Sequence, residues 1–156
     1  MMNLVMIGIL IRRCTLMSNL FIDSSFLVSL FRQDDDNHEL VKQNRNILED
    51  NKCFISNGIV TEVITVLMMR TKNKQLTNLA YYFMQDNFTI VNEYEISEYN
   101  DKVFSVFKNY NVNSYKVSFI DCSSVVISNH FGFDYVVALD NGFKLFDDIK
   151  LYPINL

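Results

Sequence analysis

The sequence predicts an α/β protein with three layers (α/β/α), in which a mainly parallel β-sheet lies between two layers of helices. Short apolar runs that suit buried strands alternate with longer segments whose apolar residues recur at three- and four-residue intervals, as on a helix. Strands that alternate with helices are joined by right-handed crossovers, which make neighbouring strands parallel. Helices then cover both faces of the sheet.

Four segments are predicted to form the strands of this sheet. Each is short and apolar, and the last of the four is especially rich in β-branched and aromatic residues. A further strand is expected near the end of the chain, within residues 145–154. The four predicted strands are residues 19–23, 53–56, 88–91 and 135–139.

Helices are predicted between the strands from the spacing of apolar residues and from the polar residues that cap helix starts. The first begins at Ser24 and Ser25 and ends near Phe31, and a single helix is expected over 36–49. Further helices are predicted from the end of the second strand to about residue 69, and over 73–84, 96–107 and 120–131. The helix over 96–107 is expected to bury Ile96, Val103, Phe104 and Phe107.

The composition indicates one globular domain with a sizeable core. Of the 156 residues 49% are hydrophobic, and the four glycines and single proline form no flexible linker. The net charge of −4 excludes nucleic-acid binding through overall basicity but is compatible with a local basic patch. Cys14, Cys53 and Cys122 form no CxxC pair and are expected to be reduced thiols of a cytoplasmic protein.

Residues 1–16 are expected to be an N-terminal extension or the product of a misplaced start, because Met17 directly precedes the first strand. The domain is then 17–156. The apolar stretch 2–11 is shorter than the roughly 20 helical residues that cross a membrane. Arg12 and Arg13 follow this stretch, whereas a secretory signal has its charges before it. An added packing element and a membrane-surface anchor are the alternatives.

Two aspartates are predicted to lie at the edge of the sheet where ligands bind. Asp23 follows the first strand and Asp140 follows the fourth, and ligands of parallel sheets bind outside the carboxyl ends of the strands. Glu62 lies on a helix with almost no polar face, so its carboxylate is expected to be partly buried and to need a cation, a donor or a proton. Asp121 lies at the start of a helix, where a carboxylate is an ordinary N-terminal cap.

Each of these acids by itself has an ordinary structural explanation, since aspartate commonly caps helices and follows strands. Together they predict a metal site. Four carboxylates at one edge would repel one another, and a hard divalent cation such as Mg²⁺ or Mn²⁺ relieves that repulsion. A metal held in this way activates a water and stabilises the leaving oxygen when a phosphodiester is hydrolysed.

Four motifs in this order resemble those of PIN domains, especially toxins of the VapC type, and the resemblance covers about residues 19–154. The motifs are Phe21–Leu30, Val60–Val63, Ser118–Ser124 and Leu139–Phe143. The resemblance implies a metal-dependent endoribonuclease that acts on a structured RNA such as a transfer RNA. It also implies a homodimer and an adjacent antitoxin protein that occupies the active-site groove. The residues implied to be catalytic and to bind Mg²⁺ or Mn²⁺ are Asp23, Glu62, Asp121 and Asp140, with Ser25 as a supporting polar neighbour.

The sequence departs from the family pattern near its last motif. Members often carry a second acid two residues after the last aspartate, where this chain has Gly142, and Ala138 lacks a hydroxyl that many members offer. We therefore expect one firmly held metal, with a second arriving only with the RNA phosphate. Asp147 and Asp148 are weaker candidates to replace the missing acid, because turns favour aspartate without any function.

Four cations are candidate RNA contacts: Arg32, Arg70, Lys72 and Lys74. The ordinary alternative is that they complement the dipoles of helix ends. His38 and His130 are expected to be structural. A catalytically weak PIN-fold module that binds RNA or a protein is the main alternative function. A phosphotransferase is less well supported, because Ser25 occupies the place of its second acid and no lysine follows a late strand.

Overall fold

Strands and helices alternate along the chain in the predicted order. The structure, a computed structural model, describes residues 17–111 and 116–154. The prediction for residues 1–16 lies outside the described residues. The elements are β1 (Asn19–Ile22), α1 (Ser24–Phe31), α2 (His38–Gln43), α3 (Asn46–Asp50), β2 (Lys52–Ser56), α4 (Asn57–Thr71), α5 (Lys74–Asn87), β3 (Thr89–Val91), a 3₁₀ turn (Glu93–Glu95), α6 (Tyr99–Tyr110), α7 (Phe119–Phe131), β4 (Tyr135–Val137) and a second 3₁₀ turn (Asn141–Leu145).

The four strands form one parallel sheet in the order β3-β2-β1-β4. In this order the chain moves outward from β1 to β3 and then returns to the other side of β1 to form β4. The connections that leave β1 and β4 therefore diverge at the carboxyl ends of these two strands. A divergence of this kind opens a crevice that is the usual ligand site of parallel sheets.

The core lies around β1, whose Leu20, Phe21 and Ile22 are fully buried because helices cover both faces of the sheet. One group of helices consists of α1, α4 and α5, with α1 packed on α4 and α4 on α5. The other consists of α6 and α7, which pack on each other. The predicted three-layer α/β/α class with a mainly parallel sheet is confirmed.

The single helix predicted over 36–49 is wrong, because the chain turns within it. Asn44 is buried, and its side-chain Nδ2 donates to the carbonyl of Leu40 at 2.9 Å, as its backbone N–H does at 3.2 Å. These contacts end α2, and α3 begins two residues later. An asparagine that bonds back to the preceding turn competes with continuation of the helix.

The final strand expected within 145–154 is not formed in the described residues, where only Leu151 makes a bridge, to Val136. The N–H of Val136 donates a hydrogen bond to the carbonyl of Lys150 at 2.8 Å, and the N–H of Tyr152 donates to the carbonyl of Val136 at 2.9 Å. The pairing with β4 is thus confined to one bridge around Leu151.

The prediction of a helix over 96–107 is displaced by three residues, since α6 begins at Tyr99. Ile96 and Val103 are buried as expected. Phe104 is 51% exposed, contrary to expectation, and the Lys108 amine lies 4.9 Å from the centre of its ring. The spacing of apolar residues therefore predicts the buried face of α6 correctly at Val103 but not at Phe104.

Candidate active site

Asp23 connects β1 to α1 and is 1% exposed. Its backbone N–H donates to the carbonyl of Val137 in β4 at 2.9 Å, and its Oδ2 caps α1 by accepting from the N–H of Ser25 at 2.9 Å. The other oxygen, Oδ1, is buried without a hydrogen-bond partner. The pKa of Asp23 is raised from 3.8 to about 7, chiefly by burial; the hydrogen bonds from Ser25 oppose this rise, and the nearby charges of Asp121 and Glu62 contribute to it.

Ser25 links the end of β1 to the segment that leads into Asp140. Its hydroxyl donates to Asp23 Oδ2 at 2.6 Å and accepts from the backbone N–H of Leu139 at 3.0 Å. The Leu139 amide therefore turns away from the sheet, and β4 ends at Val137 rather than at residue 139 as predicted. This serine holds the carboxylate of Asp23 in one orientation.

Glu62 lies in the second turn of α4 between the fully buried Ile59 and Val63. Its Oε2 is buried and has no hydrogen-bond partner. Burial raises the pKa of Glu62, a hydrogen bond from the Ser24 side chain partly offsets this rise, and the charge of Asp121 adds to it. The apolar surroundings that the sequence indicates are present, and they leave one oxygen of this carboxylate unsatisfied.

Asp121 is the third residue of α7 and forms a capping box with Ser118. Its N–H donates to the Ser118 hydroxyl at 3.0 Å, and its Oδ2 accepts from the Ser118 N–H at 2.7 Å. The predicted role as an N-terminal cap is therefore correct. Burial raises the pKa of Asp121, the bonds to Ser118 lower it, and Asp140 raises it. The capping bond uses Oδ2 and fixes the side chain, which leaves Oδ1 as the oxygen for another partner.

Asp140 caps the 3₁₀ turn after β4, where its Oδ1 accepts from the Gly142 N–H at 2.7 Å. Its side chain is exposed, unlike those of the other three acids. A Cβ at residue 142 would lie 3.3 Å from Asp140 Oδ1 and 3.4 Å from Val117. A side chain in place of Gly142 would therefore press on the last acid of the site.

The four acids form one electrostatic cluster with Asp121 at its centre. The charge of Asp121 raises the pKa values of Asp23 and Glu62, and Asp140 raises that of Asp121. Among the described residues, three buried side-chain oxygens have no partner, and two of them are Asp23 Oδ1 and Glu62 Oε2. Buried carboxylate oxygens without partners are costly, and a hard divalent cation would satisfy both.

The side chains are not already arranged around a metal position. Within the part of the chain that the structure describes, no group of three or more His, Cys, Asp or Glu residues is close enough to hold an ion. The donor set nevertheless fits Mg²⁺ or Mn²⁺, because it consists of oxygen ligands only and includes two unsatisfied ones.

The predicted basic residues do not surround this cluster. Arg32 is held at 3.2 Å by Asp34 and at 3.4 Å by Asp35. Arg70, Lys72 and Lys74 are exposed at the far end of α4 and the start of α5. Arg70 follows Glu62 by eight residues, which is about 12 Å along a helix. These cations therefore lie away from the four acids.

The weaker candidates lie elsewhere or have structural roles. Asp148 accepts from the Asn129 side chain at 2.8 Å in a cleft that also contains Met17, at the amino end of β1. His38 begins α2, where its Nδ1 lies 2.8 Å from the carbonyl of Ser29. The ring of His130 packs edge-on against that of Phe131. None of these residues contributes to the carboxylate cluster.

Cys53 and Cys122 are free and buried, as expected for reduced thiols, whereas Cys14 lies outside the described residues. Burial raises the pKa of Cys53 to about 12 and that of Cys122 to about 11. Both thiols therefore stay protonated and unreactive near neutral pH.

Glu93 is the residue of this region that the sequence analysis misses. It is 3% exposed and caps α4, with Oε1 accepting from the Gly58 N–H at 2.7 Å and Oε2 from the Asn57 N–H at 3.1 Å and side-chain Nδ2 at 3.0 Å. A Cβ at Gly58 would lie 3.4 Å from Glu93 and 3.3 Å from Ile120 of α7. The small residue lets α4, which carries Glu62, approach α7, which carries Asp121. The only signal in the sequence is the glycine itself.

The model of the PIN-domain family matches residues 20–149, so the chain belongs to the PIN-domain family. No curated protein sequence matches the chain at a significant level. No helix in the described ranges 17–111 and 116–154 has the length and apolar character to cross a membrane.

Three solved structures share the fold at low sequence identity. VapC20 of Mycobacterium tuberculosis, described as a toxin that cleaves the sarcin-ricin loop, is 18% identical with a TM-score of 0.67 over 84% of this chain and 98% of that chain. VapBC2 of Rickettsia felis, bound to a DNA fragment from their promoter, is 10% identical with a TM-score of 0.64 over 86% and 97%. FitAcB of Neisseria gonorrhoeae is 13% identical with a TM-score of 0.55 over 86% and 96%. The similarity to these structures concerns the fold.

Proposed function

We propose that the protein is an endoribonuclease that hydrolyses RNA phosphodiester bonds with Mg²⁺ or Mn²⁺ held by Asp23, Glu62, Asp121 and Asp140. The observation that carries this proposal is the pair of buried, unpartnered oxygens, Asp23 Oδ1 and Glu62 Oε2, at the carboxyl edge of the sheet. A carboxylate cluster without neighbouring cations attracts a divalent ion and repels an RNA phosphate until that ion is present. The proposal therefore makes metal a requirement for both binding and cleavage at this edge.

The four acids have different parts in this proposal. Asp23 and Glu62 would contribute their unsatisfied oxygens, and Ser25 would keep the Asp23 carboxylate oriented through its 2.6 Å bond. Asp121 would contribute Oδ1, since the capping box occupies Oδ2. Asp140, the exposed member, would bind the metal from the solvent side, directly or through a water. When bound, the metal lowers the pKa of a water and neutralises charge on the phosphate.

We propose further that the protein is the toxin of a toxin–antitoxin pair in the cytoplasm. The support is the fold that it shares with VapC20, described as a toxin that cleaves the sarcin-ricin loop, and with the VapBC2 and FitAcB structures. Its substrate would be a structured RNA, with transfer RNA the first to examine. Its protein partner would be an antitoxin encoded by a neighbouring gene, and absence of such a gene would favour a solitary nuclease.

The function is tested by incubating the purified protein with labelled transfer RNA and Mg²⁺, with and without EDTA, beside the Asp121→Asn variant. Asparagine keeps one oxygen for the Ser118 cap but removes the charge, so the fold should persist while cleavage stops. Asp134→Asn is the control, because Asp134 is an exposed acid at the opposite edge of the sheet, where it accepts from the Asn19 N–H. Metal-dependent cleavage by the wild type that Asp121→Asn retains would exclude the four-carboxylate site.

The second candidate function is a PIN-fold module that binds RNA or a protein with little catalysis. It is favoured by the absence, among the described residues, of three acidic, histidine or cysteine side chains already placed around a metal position. The same assay separates the two functions. RNA that is bound but not cleaved in Mg²⁺ or Mn²⁺ would establish the binding module.

A homodimer remains a prediction for this chain. Exposed apolar side chains on α4 and α5, including Met69 and Leu79, provide surface that a second copy could cover. Light scattering of the purified protein measures the molar mass directly. A monomer at high concentration would contradict the prediction.

A further inference from the structure

A groove of about 490 Å³ opens directly beside Glu62. One wall is the exposed side of α4, which contributes Asn57, Thr61 and Thr65 together with Glu62. Opposite them lie the 3₁₀ turn after β3 and the first turn of α7. The groove therefore shares Glu62 with the carboxylate cluster, and an RNA strand with its phosphate at Glu62 would place an adjacent nucleotide in it.

Tyr94 lines this groove and is 71% exposed, so its ring adds little to the core. The ring is nevertheless held in place, because it packs edge-on against the half-buried Tyr99 of α6 with 5.7 Å between ring centres. An exposed aromatic ring with a fixed orientation is a suitable platform for a flat apolar surface. RNA-binding proteins use such rings to stack unpaired bases.

The chemistry of the other lining residues favours an uncharged ligand. Among residues 17–111 and 116–154, no lysine or arginine lines the groove. The Glu93 carboxylate is already engaged by the N–H groups of Asn57 and Gly58, and Glu62 belongs to the proposed metal site. A phosphate would therefore be repelled, whereas a base could place its face against Tyr94 and Ile120 and its polar edge near Thr65 and the Asn57 oxygen.

We propose that this groove is a nucleobase subsite in which Tyr94 stacks the base of a nucleotide adjoining the scissile phosphate. The inference rests on the proposed ribonuclease function, because only an RNA held at Glu62 delivers a base to this place. A peptide side chain is a poorer occupant, since an apolar group here would cover the Glu62 carboxylate without neutralising it. Tyr94 is thus a residue that sets which bond is cleaved.

The chain contains no tryptophan, so Tyr94→Trp introduces a single fluorescent reporter into the groove. We would titrate this variant with a short single-stranded RNA in Mg²⁺ and read the fluorescence within milliseconds of mixing, so that binding is seen before cleavage, using inorganic polyphosphate as the control ligand. Tyr82→Trp is the matched variant, because Tyr82 is 56% exposed, packs edge-on against Tyr81 and lies outside the groove. RNA should quench the fluorescence of the Tyr94→Trp variant but not that of the Tyr82→Trp variant. Polyphosphate should quench the fluorescence of neither variant.

Cleavage kinetics in the otherwise unchanged protein complete the test. Tyr94→Ala should raise KM roughly 5- to 150-fold, which is the range expected for loss of one stacked base. Tyr94→Ala should also change the nucleotide preference beside the cleaved bond in a random RNA pool. Tyr94→Phe and Tyr82→Ala should each keep the wild-type KM and the wild-type nucleotide preference.

Different results would exclude the nucleobase subsite and the ribonuclease function. If the wild type cleaves with metal but Tyr94→Ala has wild-type KM and nucleotide preference, the subsite is excluded and the ribonuclease function stands. If the wild type does not cleave any RNA, the proposed function fails and the subsite with it. Unchanged cleavage by Tyr94→Ala together with lost inhibition by a neighbouring antitoxin would assign the groove to a protein and overturn the proposal.

Discussion

The two edges of the sheet both carry acids, but their environments differ. At the amino edge, Asp134 accepts from the Asn19 N–H at 2.7 Å and Asp148 accepts from Asn129 at 2.8 Å, and both residues are exposed. At the carboxyl edge, Asp23 and Glu62 each have a buried oxygen without a partner. The acids of the amino edge stabilise the chain that surrounds them, whereas those of the carboxyl edge need a ligand to satisfy them.

Glu93 shows that burial alone does not separate the two kinds of acid. It is nearly as buried as Asp23 and also lies at the carboxyl edge, yet both of its oxygens accept hydrogen bonds from the start of α4. The distinguishing property is an unsatisfied oxygen in a buried carboxylate. Glu93 therefore belongs with the structural acids, although its position determines where the helix of Glu62 begins.

The largest expected difference between the edges is in RNA cleavage. Asp23→Asn should lower kcat/KM on the order of 100-fold or more, because it removes a charge and an oxygen from the proposed metal site. Asp134→Asn, which alters an acid of the amino edge, should change kcat/KM by less than about twofold, as surface substitutions usually have small effects. Equal losses in the two variants would contradict the distinction, and circular dichroism of both would exclude unfolding as the cause.

The next expected effect is on the pH dependence of stability in EDTA. Asp23 has a pKa of about 7 in the folded protein and 3.8 as the ordinary value, so the folded state binds this proton more tightly than the unfolded state. The contribution of Asp23 to the free energy of unfolding is therefore present at pH 4, is lost as the pH rises to about 7 and is constant above that. Its size is up to about 4 kcal/mol.

Urea denaturation of the wild type, Asp23→Asn and Asp134→Asn between pH 4 and pH 8 measures this contribution. Asp23→Asn should flatten the decline and be more stable than the wild type at pH 8. Asp134→Asn should retain the decline, because this variant still contains Asp23 and the side chain that it changes is exposed to water. If the free energy of unfolding of the wild type had the same pH dependence as that of Asp23→Asn, the proton would not be held at Asp23.

A third effect is stabilisation by the metal itself. At a Mn²⁺ concentration 100 times the dissociation constant, a ligand that binds only the folded state adds about 2.7 kcal/mol to the free energy of unfolding. The increase should be largest above pH 7, where Asp23 is ionised, and should disappear in Glu62→Gln. Thermal unfolding with Mn²⁺ and with EDTA measures it. An equal increase in Glu62→Gln would place the ion elsewhere.

The smallest expected effect concerns Glu93. Glu93→Gln removes the charge that faces the start of α4 and turns an NH₂ group toward backbone donors, which should cost about 1–3 kcal/mol of stability. Glu95→Gln is the control, because Glu95 is exposed two residues away and should change stability by less than about 0.5 kcal/mol. Denaturation of both variants, with Mn²⁺ affinity measured alongside, would show whether the start of α4 also determines how Glu62 meets the ion.

Local sequence patterns predict the parts of the molecule that depend on neighbouring residues. The apolar run before Asp23 and the alternation of strands with helices depend on burial, which composition and spacing reveal directly. The cap formed by Asp121 is equally local, because its partner Ser118 is three residues away. The interruption at Asn44 was missed, since apolar spacing alone does not show that its side chain bonds back to Leu40.

By itself, the sequence determined the α/β class, the end of β1 at which Asp23 lies, the position of Asp140 in the turn after β4, and the apolar setting of Glu62. The tertiary structure alone decided that Asp23 Oδ1 and Glu62 Oε2 are buried without partners while both oxygens of Glu93 are satisfied, because this burial and the contacts of Glu93 involve distant segments. Glu93 meets Gly58 across 35 positions, and Ser25 meets Leu139 across 114. Such contacts arise only when the chain has folded, whereas burial of an apolar run is a property of the run itself.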